Sequence, residues 1–281
     1  MPTPRATHHS RRARAHQSAL AREIERITLA ELQRLWRDLR IKLRRLDARR
    51  PKLATIEKRH LSKAAFFSRD IWAQFQERLK RRLWVVIAAS MNAYHKLWEK
   101  HIQDVAAATV AADATDAVTA PVVPWDPEQV AAAHLAELEA RILATVSGIQ
   151  KAVGKLITAW YHDPAASTPA LVSDLEEAFS EQRAKNFASG EVSAVHNRVT
   201  DAVAASTGAV AFWVKTMLDE NVCVHPMKGP DGGIWNGCRD LHGRVFSIWM
   251  PGPPFHKHCR CERMPIVDRR VTGPVATITY T

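Results

Sequence analysis

Residues Pro253–Cys261 read PPFHKHCRC. Two histidines and two cysteines fall within six residues, behind a diproline that stiffens the approach to His256. Zinc takes four such ligands in a tetrahedron, typically delivered as two short-spaced pairs from separate loops. Cys259 makes one near pair with Cys261 or with His256, and the remaining cysteines, Cys223 and Cys238, could supply the other two ligands. These two stand 15 residues apart, wider than a C-x-x-C knuckle. The insert between them, VHPMKGPDGGIWNG, is polar and glycine-rich, as suits a loop that leaves a site and returns. The metal candidates are therefore Cys223, Cys238, His256, Cys259 and Cys261. His256, Cys259 and Cys261 crowd one corner, and one of them could act from behind the ligand shell. Free thiols packed as small hydrophobes, and disulfides, are the competing readings. The first 20 residues are basic and polar with no apolar stretch, so the expected compartment is a reducing one, which disfavours disulfides.

Upstream of this cluster the chain reads as mostly helical. MPTPRATHHSRRARAH (1–16) lacks apolar periodicity and is expected to be a disordered basic tail, its His8, His9 and His16 solvated. A helix is expected from about Gln17 to Ala48, on the stripe Leu32, Trp36, Leu39, Leu43 and Leu46. Arg50-Pro51 ends it. A second runs from about Ala64 to Ala112 with Phe67, Ile71, Phe75, Leu79, Val86, Leu97 and Ile102 on one side, making an extended helical hairpin with the first. PVVPWDP cannot be helical, and Asp126-Pro127 then opens a helix reaching about Tyr161. Thr168-Pro169 starts another, expected to break at Gly190 near Ser189, followed by EVSAVHNRVTDAVAAS up to Gly208.

Beyond Gly208 the period shifts. VAFWVKTML reads as a strand, RVFSIW as a shorter one, and the rest is dense in Gly, Pro, Cys and His. The expected fold class is mainly α, with an extended helical N-terminal region and a small C-terminal α+β module stapled by zinc. So small and loop-rich a module generally needs a staple. The expected division is 1–16 as tail, 17–125 as basic helical hairpin, 126–186 as a helical region, 187–268 as the C-terminal module and 269–281 as a tail.

Charge separates the two halves. Residues 1–60 carry 17 Lys and Arg against 6 Asp and Glu, and residues 101–281 carry 15 against 20. A positive field confined to the N-terminal third suggests an anionic partner there, nucleic acid or an acidic protein surface. Arg34, Arg37, Arg40, Lys42, Arg44 and Arg45 are the contact candidates; the alternative is an ordinary solvated helix face. No run of 18 apolar residues occurs, so no membrane partner is expected.

Several segments together resemble the phage Mu F-like minor head proteins, also called head morphogenesis proteins. PPFHKHCRC is similar to that family's ending pattern, and Cys238-Arg-Asp-Leu-His-Gly243 resembles its second cysteine with Leu-x-Gly. WVKTMLDENVC (Trp213–Cys223) resembles its strand, aspartate and first cysteine. FASGEVSAVHN (Phe187–Asn197) resembles the preceding helix with its glutamate and asparagine. The resemblance spans Phe187 to Pro265 in the family's order, but the family sets its first two cysteines two residues apart. It implies a minor capsid protein of a tailed bacteriophage, located in the virion at the capsid interior or portal vertex and in host cytoplasm during assembly. Its partners would be the portal protein, genomic double-stranded DNA, and capsid or scaffold proteins. No catalytic activity is implied.

Two other functions stay open. A nuclease of the His-Asn-His type could draw on His225, Asn236 and His242, although no helix pattern follows them. A sequence-nonspecific DNA-binding protein with no virion role would also use the basic half. Hydrolytic zinc chemistry lacks an H-E-x-x-H, with only Asp231, Asp240 and Glu262 nearby. Glu191 is expected to be a helix N-terminal charge or a salt-bridge partner.

Overall fold

The computed structural model describes residues 4–47, 69–112, 126–163, 165–207, 209, 211–216, 223–229, 232–247, 250, 253 and 261–266. The chain is mainly helical, with a small C-terminal region that contains strands. Its elements are α1 (Pro4–Asp47), α2 (Arg69–Ala112), α3 (Pro127–His162), α4 (Thr168–Ala178), α5 (Glu181–Thr207), β1 (Ala211–Lys215), β2 (Met227–Lys228), β3 (Ile234–Trp235), α6 (Cys238–Leu241), β4 (Val245–Ser247) and β5 (Glu262–Ile266). Two compact units emerge from their packing. One draws on Met1–Ala21, Ile87–His134 and Ser189–Thr281, the other on Arg22–Val86 and Leu135–Ala188.

The first correction lies at the N-terminus. α1 begins at Pro4, so the residues expected as a disordered tail are helical through His16. The physical reason is a buried stripe that starts earlier than bulky residues reveal it: Ala13, Leu20, Ile24, Ile27, Leu32, Leu35, Leu39 and Leu43 are all buried. Trp36, expected on this stripe, is only half-buried and stacks on Phe179 with ring centroids 5.3 Å apart. On α2 the buried line is Trp72, Phe75, Leu79, Leu83, Ile87, Met91, Tyr94 and Trp98, while Ile71, Val86, Leu97 and Ile102 flank it. Trp72, Tyr94 and Trp98 are amphipathic residues that a reading weighted to aliphatics passes over.

In the second unit Glu31 of α1 is buried and takes Arg78 Nε at 3.0 Å and Arg82 Nη1 at 2.8 Å from α2. Burial alone would raise its carboxyl; hydrogen bonds from both arginines outweigh that and lower it. The start of α3 follows expectation. Asp126 Oδ1 accepts the amides of Glu128 and Gln129 at 3.0 and 3.1 Å, and Pro127 occupies the first helical position. Ser167 rather than Thr168 caps α4, its hydroxyl accepting from the Ala170 amide at 3.3 Å.

The second correction concerns Gly190. The helix break falls at Phe179–Ser180, and α5 runs through Gly190 without interruption. Phe179 is buried against Trp36, which fixes the turn, and the Ser180 carbonyl starts the next helix by accepting from Ala184 at 3.3 Å. A mid-helix glycine costs about 1 kcal/mol, less than the packing of Ala188, Val192, Val195, Val199 and Val203 on the buried side of α5 contributes.

The strands form an antiparallel sheet in the order β4-β1-β5, with Phe212 opposite both Phe246 and Pro265. β2 and β3 form a separate two-stranded hairpin. Phe212, Val214, Cys238, Leu241, Phe246 and Cys261 make the core of this region.

Candidate functional site

Three of the five metal candidates can be placed. Cys238 and Cys261 are buried in the sheet's core, and Cys223 is half-buried and packs against the same cluster. The long insert between Cys223 and Cys238 is the β2–β3 hairpin, closed by Gly229 N–H to Gly233 O at 2.9 Å and Gly232 N–H to Gly229 O at 3.0 Å. Its two ends meet. Arg239 N–H reaches the Cys223 carbonyl at 3.4 Å, and a Cβ on Gly237 would lie 2.2 Å from that carbonyl oxygen. Only a glycine fits there, and its φ of 91° demands one as well.

Thr216, just past β1, links the two buried cysteines, through the backbone of Cys238 and the thiol of Cys261. Its hydroxyl donates to the Cys238 carbonyl at 3.1 Å and contacts Cys261 Sγ at 3.1 Å. Cys238 Sγ also touches Met227 Sδ at 3.9 Å. No disulfide joins Cys223, Cys238 and Cys261 to one another. Among the described residues no group of three or more His, Cys, Asp or Glu side chains is arranged to hold a metal ion. His256 and Cys259 lie outside the described residues, as does His258. Cys223, Cys238 and Cys261 share one small cluster, and the backbone at Cys223 approaches Gly237 more closely than any larger residue would permit.

The histidines of the nuclease reading are occupied or dispersed. His242 Nδ1 accepts the Thr216 amide at 3.0 Å, which leaves the proton on Nε2. Burial and the charge of Lys215 lower its pKa. His225 and Asn236 are exposed.

The chemistry missed by the sequence reading sits in the interior of the first unit. Lys215 Nζ of β1 and His196 Nδ1 of α5 bind the two oxygens of Glu262 on β5, each at 2.9 Å. Burial alone would raise the Glu262 carboxyl; the hydrogen bond from His196 and the charge of Lys215 overcome this and bring it down to about 2. His196 Nε2 meets His16 Nδ1 of α1 at 3.1 Å, and His16 Nε2 meets Ser90 Oγ of α2 at 3.2 Å. Tyr94 stacks on His196 with centroids 3.9 Å apart and on His16 at 5.5 Å. Burial and then the neighbouring His196 lower His16 to about 4. His16 is thus half-buried and bonded rather than solvated.

Two more α5 residues hold this region together. Asn197 donates from Nδ2 to the Cys261 carbonyl at 3.3 Å and accepts the Arg263 amide at Oδ1 at 2.9 Å, so one side chain satisfies an acceptor and a donor on the same edge of the strand. Glu191 lies inside α5 rather than at a helix start; fully buried, it pairs with His134 of α3 at 2.7 Å. Its salt-bridge role holds and its helix-terminal role does not.

In the second unit, Arg34, Arg37, Arg40 and Arg44 are exposed on α1, and no ion pair with a described residue engages them. At 100° per residue they span an arc of about 120°. Lys42 is half-buried outside that arc, and the side chain of Arg45 is outside the described set. Among the described residues no helix is long and apolar enough to cross a membrane.

No protein-family model, no curated protein and no solved structure matches this chain.

Proposed function

We propose that this chain is a minor capsid protein of a tailed bacteriophage, acting in head morphogenesis at the portal vertex without a catalytic step. The observation that carries the reading is the clamp at Asn197. The segments through which the sequence resembles Mu F-like proteins pack on one another: the helix of Glu191 and Asn197 grips the strand after Cys261, and that strand pairs with the one holding Trp213. His134 pairs with Glu191 and His196 with Glu262, and all four are buried. That use suits a scaffold.

Cys223, Cys238 and Cys261, completed by His256 or Cys259, would hold a zinc ion. A structural zinc supplies folding energy rather than reactivity. The exposed arginines of α1 would meet phosphates of the packaged genome or an acidic portal surface, in either case by charge rather than base readout. Coexpression with the portal protein of the same genome tests the reading. Retention on a portal ring after nuclease treatment supports it. Failure to retain portal, together with metal-dependent cleavage of plasmid DNA, overturns it in favour of the nuclease.

A further inference from the structure

The row of groups from Ser90 to Lys215 has a proton count that geometry fixes. Glu262 accepts from Lys215 on one oxygen and from His196 on the other, so His196 Nδ1 carries a proton. The remaining nitrogen of His196 faces His16 Nδ1 at 3.1 Å, and a bond there needs one proton between them. Ser90 can donate to His16 Nε2 or accept from it, because a hydroxyl does both. The row therefore tolerates one additional proton. Before it binds, bonds run from Ser90 toward Glu262; afterwards, with the proton on His16 Nε2, the link to Ser90 reverses and every bond survives. A second proton places N–H against N–H between two imidazolium rings, and the link breaks.

We infer that His16 and His196 form an acid-sensitive latch that holds the beginning of α1 to the C-terminal region and releases it when both rings are charged. Among the described residues, the groups facing the pair are Ser90 and Tyr94 of α2, Glu262 of β5 and, behind it, Lys215 of β1. Only one carboxylate is among them, and Lys215 already shares it, so the second positive charge has no counter-ion of its own. Tyr94 stays neutral, its pKa raised by burial and by Glu262. It lies flat on both rings and caps the site without supplying charge. Burial first, and then the neighbouring His196, lower the pKa of His16. This inference rests on the polar row alone and does not depend on the phage reading.

Hydrogen exchange on the full chain, corrected for intrinsic rates at each pH, reads the latch directly. Amides of residues 12–21 should lose at least tenfold in protection between pH 7 and pH 4, while the β1 amides keep theirs. His16→Gln, which can hydrogen-bond but not charge, should remove the pH dependence. Ser90→Ala removes a hydroxyl whose bond is stronger when it accepts from the charged ring than when it donates to the neutral one, and should move the midpoint to lower pH. Loss of protection in residues 12–21 and β1 at one common midpoint overturns the inference. So does protection of 12–21 that stays flat in the wild type, or a midpoint that is unmoved or raised by Ser90→Ala. If His16→Gln fails to fold, the Ser90→Ala shift decides.

Discussion

His134 Nε2 lies 2.7 Å from Glu191 Oε1, and neither side chain is exposed to solvent. Removing one member of such a pair strands the other in a medium that cannot solvate it, whereas replacing both relieves the interior of two polar groups. Glu191→Leu should therefore destabilise the chain by roughly 3–5 kcal/mol. The double variant His134→Leu with Glu191→Leu should lose less than the single one. Urea denaturation of the set, read as a double-mutant cycle, checks it; a single variant near wild-type stability contradicts the assignment of Glu191 to structure.

Two glycines should respond with opposite signs. At Gly190 an added Cβ meets nothing within 4 Å, so Gly190→Ala should stabilise by about 0.5–1 kcal/mol. At Gly237 the same atom would collide with the Cys223 carbonyl at 2.2 Å, on backbone with a φ of 91°. Gly237→Ala should unfold the hairpin's attachment and expose the core around Cys238. Thermal melts with thiol-accessibility labelling of the two variants distinguish them.

Acid stability should fall in two windows. His16, lowered from 6.5 to about 4, binds a proton more readily in the unfolded chain, so its contribution is present above pH 6.5 and is lost as pH falls toward 4. Glu262, lowered from 4.5 to about 2, gives stability present above pH 4.5 and lost as pH falls through 2. Denaturant midpoints measured from pH 8 to pH 2 should show both declines, and Glu262→Gln should flatten the lower one.

Zinc predicts stoichiometry and a folding response. Purified protein should carry about one zinc per chain, and chelation should lower the melting temperature of the C-terminal region. Cys261→Ser should abolish the zinc. Metal-free protein with an unchanged melt would return the thiols to the role of small apolar side chains.

The arginine face makes a salt-dependence prediction. If it contacts DNA, converting Arg34, Arg37, Arg40 and Arg44 to Gln removes four phosphate contacts. The slope of log K against log salt should then flatten by about 3–4. An unchanged slope, measured by fluorescence anisotropy on duplex DNA, removes DNA as the partner of this face.

Most of the helical content, the Asp126 cap and the strand after Gly208 were legible because long apolar periods and the Asp126-Pro127 signal are local. What escaped was set by tertiary contacts. Ala13 and His16 carry no hydrophobic signal, so the first turns of α1 read as tail, yet a partner 180 residues away buries His16. Gly190 looked like a break because propensity is local, whereas Phe179 made the turn through a stack on Trp36. The cysteines showed their grouping through composition. The Glu262 row left no such trace, since His196, Lys215 and Glu262 are ordinary residues at unremarkable spacings until the sheet pairs β1 with β5.

The hairpin between Cys223 and Cys238 is pinned where it leaves and where it returns, so its length is uncoupled from the core beneath it. Loop closure grows only slowly with added residues. The tip of the hairpin, between Gly229 and Gly233, is thus a natural graft point: a reporter peptide inserted there should leave the thiol cluster in register as long as Met227 and Trp235, which pack on the core, and Gly237 are kept.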